Sequence, residues 1–189
     1  MQRKIYQQLL QWKEKSKGKT VLLIDGTRRV GKSYIAEEFA KNEYETYILV
    51  DFNSVSKDIT DLFEYYLSDL DTFFMYLSGY YNVKLEERKS IIVFDEVQLC
   101  PRARAAIKYL VADGRYDYLE TGSLVSIKRN VKDIVIPSEE RHIKMNPMDY
   151  EEFLWALGDN TLMDIIRKCF EKQIPMGQML HRKAMNYFR

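Results

Sequence analysis

One stretch limits what this chain can fold into more than any other: Gly26-Thr-Arg-Arg-Val-Gly-Lys-Ser33. It spells G-x-x-x-x-G-K-S. Before it lies a short apolar run, Val21-Leu-Leu-Ile24, set between Gly18 and Gly26, which reads as a buried strand. After it, Ile35, Ala36, Phe39 and Ala40 recur at helical spacing. A strand, a glycine-bounded turn and a helix form the context in which this pattern, the P-loop or Walker A motif, cradles phosphate. Gly26 and Gly31 let the backbone turn its N–H groups toward phosphate oxygens. The helix beginning near Lys32 aims its free amides and positive dipole end at the same anion. Lys32 is expected to reach the β- and γ-phosphates, and Ser33 to place its hydroxyl on Mg²⁺. The candidate nucleotide contacts are Gly26, Thr27, Arg28, Arg29, Val30, Gly31, Lys32, Ser33 and Tyr34.

A second stretch, Ser90-Ile-Ile-Val-Phe-Asp-Glu96, runs apolar residues directly into two acids. This is the Walker B form, a buried parallel strand ending in carboxylates. Asp95 is the candidate metal residue beside Ser33, holding Mg²⁺ through water. Glu96 is the candidate base that orients and deprotonates the attacking water. The competing reading, that the two acids only cap the next helix, sits poorly with the Ile-Ile-Val-Phe run. Tyr116–Glu120 reads as a further strand, ending in Thr121-Gly-Ser123. Thr121 is the first candidate for a γ-phosphate sensor and Ser123 the second; taken alone, the tripeptide is equally a turn.

Phosphoryl transfer also needs positive charge on the transition-state oxygens. Arg141 ranks first for that role, then Arg28, with Arg29, Arg102 and Arg104 behind. A finger supplied by a neighbouring subunit, or by a further domain, is an equal alternative. Gln98 either links the catalytic carboxylate to a partner or caps the following helix, and the cap is the favoured reading. His142 and His181 have no ligand partners nearby in sequence, which argues against an imidazole metal site.

Composition excludes several classes. With 189 residues there is room for one sizeable domain and a small appendage. A net charge of +1 exerts no global pull on nucleic acid or anionic membrane. Two cysteines, Cys100 and Cys169, lack C-x-x-C spacing, so neither a disulfide scaffold nor a zinc site is expected, and a reducing cytoplasm is. No apolar run approaches bilayer-spanning length, and no signal-peptide core is present.

The remaining pattern predicts an amphipathic first helix to Ser16 with Ile5, Leu9 and Trp12 on one face, and a second strand over Tyr44–Asn53. Val55–Ser78 reads as two core helices broken near Ser68-Asp69, and Gly79–Ser90 as a polar connector that admits a short strand or helix end. A base-stacking surface for single strands is the competing reading of the aromatic Val55–Tyr81 region, and its helical apolar period favours core packing. A helix is expected over Pro101–Ala112, a brief helix or loop over Leu124–Asn130, an exposed charged stretch over Val131–Arg141, and a last short strand over His142–Asn146. Asp149 and Glu152 form a capping box for a helix over Tyr150–Leu157. Helices open again at Asn160-Thr161 and Gly177.

Together these residues resemble a known family, the AAA-type P-loop ATPases with a C-terminal DUF4143 domain. That family's G-P-R-x-V-G-K-[ST] is similar to Gly26–Ser33, with Thr27 in place of the proline. Its D-E-[IV]-Q is similar to Asp95-Glu-Val-Gln98, and its T-G-S to Thr121-Gly122-Ser123. Its arginine, strand and P-[LM]-x-[FY]-x-E-F segment resemble Arg141 through Phe153. The resemblance implies an α/β fold of the additional-strand type, with a parallel sheet ordered 5-1-4-3-2, and ATP with Mg²⁺ as the cofactors. It further implies an ATPase domain over 1–157 and a helical lid, or the start of a truncated C-terminal domain, over 158–189. Family members extend well past a point corresponding to Arg189, so a protein or nucleic-acid partner is expected to be reached through that region. Oligomerisation is compatible with the family.

Three functions compete. The first is a Mg²⁺-dependent ATPase using a Glu96-activated water. The second is a nucleotide-dependent switch with negligible turnover. The third is a P-loop kinase, disfavoured because kinases usually lack an Asp-Glu pair beside a polar sensor strand.

Overall fold

The computed structural model describes residues 2–123 and 139–187. The expected segment 124–130 and most of 131–141 lie outside the described residues. Two compact units are present: Ile5–Pro147, and Met148 onward together with the residues up to Lys4.

In the larger unit, α1 (Ile5–Ser16) leads into β1 (Val21–Asp25), α2 (Lys32–Glu43), β2 (Thr46–Asp51), α3 (Lys57–Tyr65), α4 (Leu70–Tyr81) and β3 (Ser90–Asp95). A 3₁₀ turn (Val97–Leu99), α5 (Pro101–Asp113), β4 (Asp117–Gly122) and β5 (Glu140–Lys144) follow. The strands form one sheet in the order β2-β3-β4-β1-β5, and every pair is parallel. This is the expected order read from the opposite edge. Inserting β4 between β1 and β3 sets the carboxyl ends of these three strands side by side.

A parallel sheet needs cover on both faces, and the strand residues alternate accordingly. Leu22, Ile24, Ile91, Val93 and Leu119 face a core built with Ile5, Leu9 and Trp12 of α1 and Ile35 and Phe39 of α2. Leu23, Ile48, Val50, Ile92, Phe94 and Tyr118 face the other core, filled from α3, α4 and α5. Phe63 is the hub there: its ring centroid lies 5.6 Å from Phe52, 5.2 Å from Phe73 and 5.6 Å from Phe94, each edge-on. The helical period over residues 55–78 thus serves core packing, as its spacing predicts.

Helix α4 runs through Gly79 to Tyr81, the helix end that the connector admits, because Asn82, left-handed at φ 52°, is what stops it. Two boundaries differ from the pattern-based expectation. Strand β4 continues through Thr121 and Gly122, so the Thr-Gly-Ser tripeptide does not begin as a turn. Strand β5 starts two residues early, at Glu140.

In the smaller unit, α6 (Tyr150–Ala156) opens with the expected capping box: Asp149 accepts from the Glu152 amide, and Glu152 accepts from the Asp149 amide. Glu152 also accepts from the Lys4 amide at 2.7 Å. Helices α7 (Leu162–Lys172) and α8 (Gln178–Asn186) complete a small core around Leu154, Leu162 and Ala184. Among the described residues, no helix is long and apolar enough to cross a membrane.

Candidate active site

The turn after β1 has two glycines with different tasks. Gly31 sits at φ 94°, ψ 26°, a left-handed conformation that a side chain resists. Gly26 is needed for space: a Cβ there would lie 2.3 Å from the Met145 carbonyl oxygen. That approach is fixed by the chain leaving β5, where the Met145 amide donates to the Asp25 carbonyl at 2.6 Å. Between the glycines, Thr27, Arg28 and Arg29 are exposed, and Arg29 is itself left-handed at φ 65°.

Helix α2 then starts at Lys32 with no side-chain cap and no acid in its first turn. Its terminal amides and its dipole therefore keep their affinity for an anion. The Lys32 side chain is buried, and its ammonium donates to the carbonyls of Gly26 (3.1 Å) and Thr27 (3.0 Å). It lies folded along the same turn whose amides it would complement. Tyr34 is exposed on the first turn.

Strand β3 delivers Asp95 to the same edge. The Ser33 hydroxyl donates to Asp95 Oδ1 at 2.8 Å, and the Thr121 hydroxyl donates to the same oxygen. Thr121 in turn accepts from the Glu96 amide at 3.1 Å. Ser33, Asp95, Thr121 and Glu96 are therefore one hydrogen-bonded set, contributed by α2 and the ends of β3 and β4. Burial pushes the Asp95 carboxyl up, the bonds from Thr121 and Ser33 pull it down, and the Asp51 and Glu96 charges add to the push, leaving it above the usual carboxylate range. A hard cation prefers such oxygen donors and reverses the electrostatic penalty. Among the described residues, no group of three or more His, Cys, Asp or Glu side chains is arranged to hold a metal ion. A divalent ion held by Ser33 and Asp95 would complete its shell with phosphate and water, as Mg²⁺ does. The residues present thus fit a nucleotide with Mg²⁺.

Glu96 lies just past the strand, half-buried and left-handed at φ 52°. Gln98 does not cap α5, whose N-cap Cys100 has no side-chain bond; instead its amide Nε2 donates to Glu96 Oε2.

The arginines divide. Arg28 and Arg29 are at the turn. Arg102 is a surface residue paired with Glu64 at 2.9 Å. Arg104 is buried between Glu120 and Glu140, so neither a finger role nor exposed charge at Glu140 fits its surroundings. Arg141 is exposed and pairs in register with Leu22, three residues short of the carboxyl end of β5. It lines a cavity of about 560 Å³ with Gln8, Gln11, Lys15 and Lys19, at the amino end of β1. The structure does not bring Arg141 to the Lys32 turn of its own chain.

Sequence patterning missed the Arg104 cluster, although a signal existed. Arg104 shares a helical stripe with Ile107 and Val111, and Glu120 alternates with Tyr118 on a strand. Opposite charges at two core-facing positions predict a buried pair. Burial raises the Glu120 carboxyl to about 8, against the pull of Arg104 and with a further push from Glu140. Its folded pKa exceeds its unfolded one, so the native state binds the extra proton between them. The stability this contributes is complete below the ordinary glutamate range and is lost as pH rises through about 8. Urea unfolding at pH 5 and pH 8 is expected to show the wild type losing more stability over this interval than Glu120→Gln, by on the order of 1–3 kcal/mol. Parallel losses in the two proteins would refute this.

A family model described as an AAA domain matches residues 18–154. The chain belongs to the AAA domain family. Its fold is that of the P-loop ATPase family, a nucleotide-binding fold. Solved structures similar to this AAA domain include one described as a DNA replication initiation factor, at 11% identity and a TM-score of 0.41, covering 98% of this chain and 57% of that one. Another is C. elegans PCH-2, at 11% identity and a TM-score of 0.39, covering 88% of this chain and 43% of that one. The AAA domain chain thus spans less than two thirds of either. No curated protein matches it.

Proposed function

We propose that this AAA domain hydrolyses ATP with Mg²⁺ and couples turnover to a partner or a further C-terminal region. One observation carries the reading: a single hydrogen-bonded set, Ser33–Asp95–Thr121–Glu96, lies beside a glycine-bounded turn that holds a buried lysine. The turn amides and the N-terminus of α2 bind the phosphates, and Lys32 sets a compact charge between β and γ. Ser33 and Asp95 would hold the metal. When bound, Mg²⁺ supplies the positive charge that offsets the phosphates. Thr121 fixes the backbone of Glu96 and reads the γ-phosphate. Glu96 orients the attacking water and takes its proton.

Arg28 and Arg29 supply positive charge from within the chain, with a finger from a neighbouring subunit or a further domain as the alternative source. The ATPase part spans 1–157, and 158–189 is a lid or the beginning of a C-terminal domain of the DUF4143 type. We place the protein in the cytoplasm, where ATP is abundant and thiols such as Cys100 and Cys169 stay free.

The test is Glu96→Gln. It should bind ATP as tightly as the wild type while turnover falls about 100-fold or more. An already negligible wild-type rate that the substitution leaves unchanged would assign the domain to a nucleotide-dependent switch instead.

A further inference from the structure

We propose that Gln98 is a positioning residue for Glu96, carried by the chain at a cost in stability. The inference rests on the ATPase reading above and deepens it. Left-handed Glu96 is followed at once by the 3₁₀ turn, closed by the Leu99 amide donating to the Glu96 carbonyl at 2.9 Å. This reversal turns the Gln98 side chain back, so that Nε2 donates to Glu96 Oε2. The opposite orientation of the amide would set its oxygen against the carboxylate, so the donor end faces Glu96.

The other end of the amide carries the cost. Gln98 is 3% exposed, and its Oε1 is buried with no hydrogen-bond partner among the described residues. A carbonyl removed from water and left unpaired destabilises the native state. An apolar side chain of the same length avoids that penalty. What glutamine supplies and methionine cannot is the donor aimed at Glu96. A carboxylate at a strand end, half-buried and without that donor, turns freely about its side-chain bonds. The geometry required for attack by water tolerates little such freedom.

Activity and stability should therefore move in different directions. In Gln98→Met, turnover is expected to fall about 100-fold, the Kd for Mg·ATP measured by equilibrium dialysis to stay within about twofold, and Tm to hold or rise. Gln98→Leu should behave alike, which guards against one variant packing badly. In a Glu96→Gln background, Gln98→Met should change the residual single-turnover rate by less than about twofold, because its target is gone. A lowered Tm, with turnover falling only in proportion to folded protein, would overturn the proposal, as would wild-type turnover in Gln98→Met. If the wild type itself shows no turnover above Lys32→Ala, the hydrolysis reading and this inference fall together. If the wild type turns over and Gln98→Met equals it, only the role of Gln98 falls.

Discussion

Arg104→Ala is expected to cost the fold about 3–5 kcal/mol, because it removes one partner of a buried ion cluster. The Arg104 side chain is 2% exposed, and the Glu120 and Glu140 side chains it contacts are 0% and 3% exposed. Without the guanidinium, the Glu120 and Glu140 carboxyl groups share a site away from water. Glu120 already holds its proton below about pH 8, and Glu140 must take one up or draw water into the core between α5, β4 and β5. The loss should therefore grow as pH rises, when protonation ceases to be a remedy. Urea unfolding reads the effect directly, as a lower midpoint with an unchanged slope. A loss below about 1 kcal/mol would show that the cluster contributes little. Combining Arg104→Met with Glu120→Gln and Glu140→Gln should recover much of the stability, since no charge then remains buried. Glu120 directly precedes Thr121, so the single variant should also loosen the end of β4 and lower turnover.

Lys32→Ala carries the largest expected effect on ligand binding. Its ammonium is the compact positive charge of the turn, and a charge-assisted bond is worth roughly 1.5–3 kcal/mol. Loss of two such bonds to phosphate oxygens should weaken Mg·ATP binding about 100-fold or more and abolish measurable turnover. Isothermal titration with Mg·ATP gives the binding term separately from the chemistry. Unaltered affinity would remove Lys32 from the phosphate site, and the roles proposed for Ser33 and Asp95 would need another anchor. Since Lys32 also donates to the Gly26 and Thr27 carbonyls, a modest fall in Tm should accompany the change.

Much of this was legible in the order of residue types. Phosphate-binding turns leave a linear trace, because glycine, lysine and serine must stand at set offsets along one backbone. Buried parallel strands leave one too, as in Ile91–Phe94 running into Asp95. The cap at Asp149 and Glu152 is a local bond pattern and was readable for the same reason. The meaning of Gly26 was only half readable. A tight turn accounts for it by sequence, but the close neighbour is Met145, which lies 119 positions further on. Gln98 suggested a helix cap because a polar residue before a proline-started helix usually is one. The left-handed backbone at Glu96 redirected it, and nothing in the residue types announces that conformation.

By itself, then, the sequence determined the glycine-bounded strand–turn–helix, the strand that ends in two acids, and the alternation that covers both faces of a parallel sheet. These follow from short-range periodicity and backbone sterics, which act between near neighbours. The tertiary structure alone decided which hydroxyl meets which carboxylate, that Arg104 is locked in the core, and that Arg141 lies away from the Lys32 turn of its own chain. Those outcomes depend on strand order and register. Registry between segments scores of residues apart is set by how two cores close on one sheet, and no local run of residues encodes it.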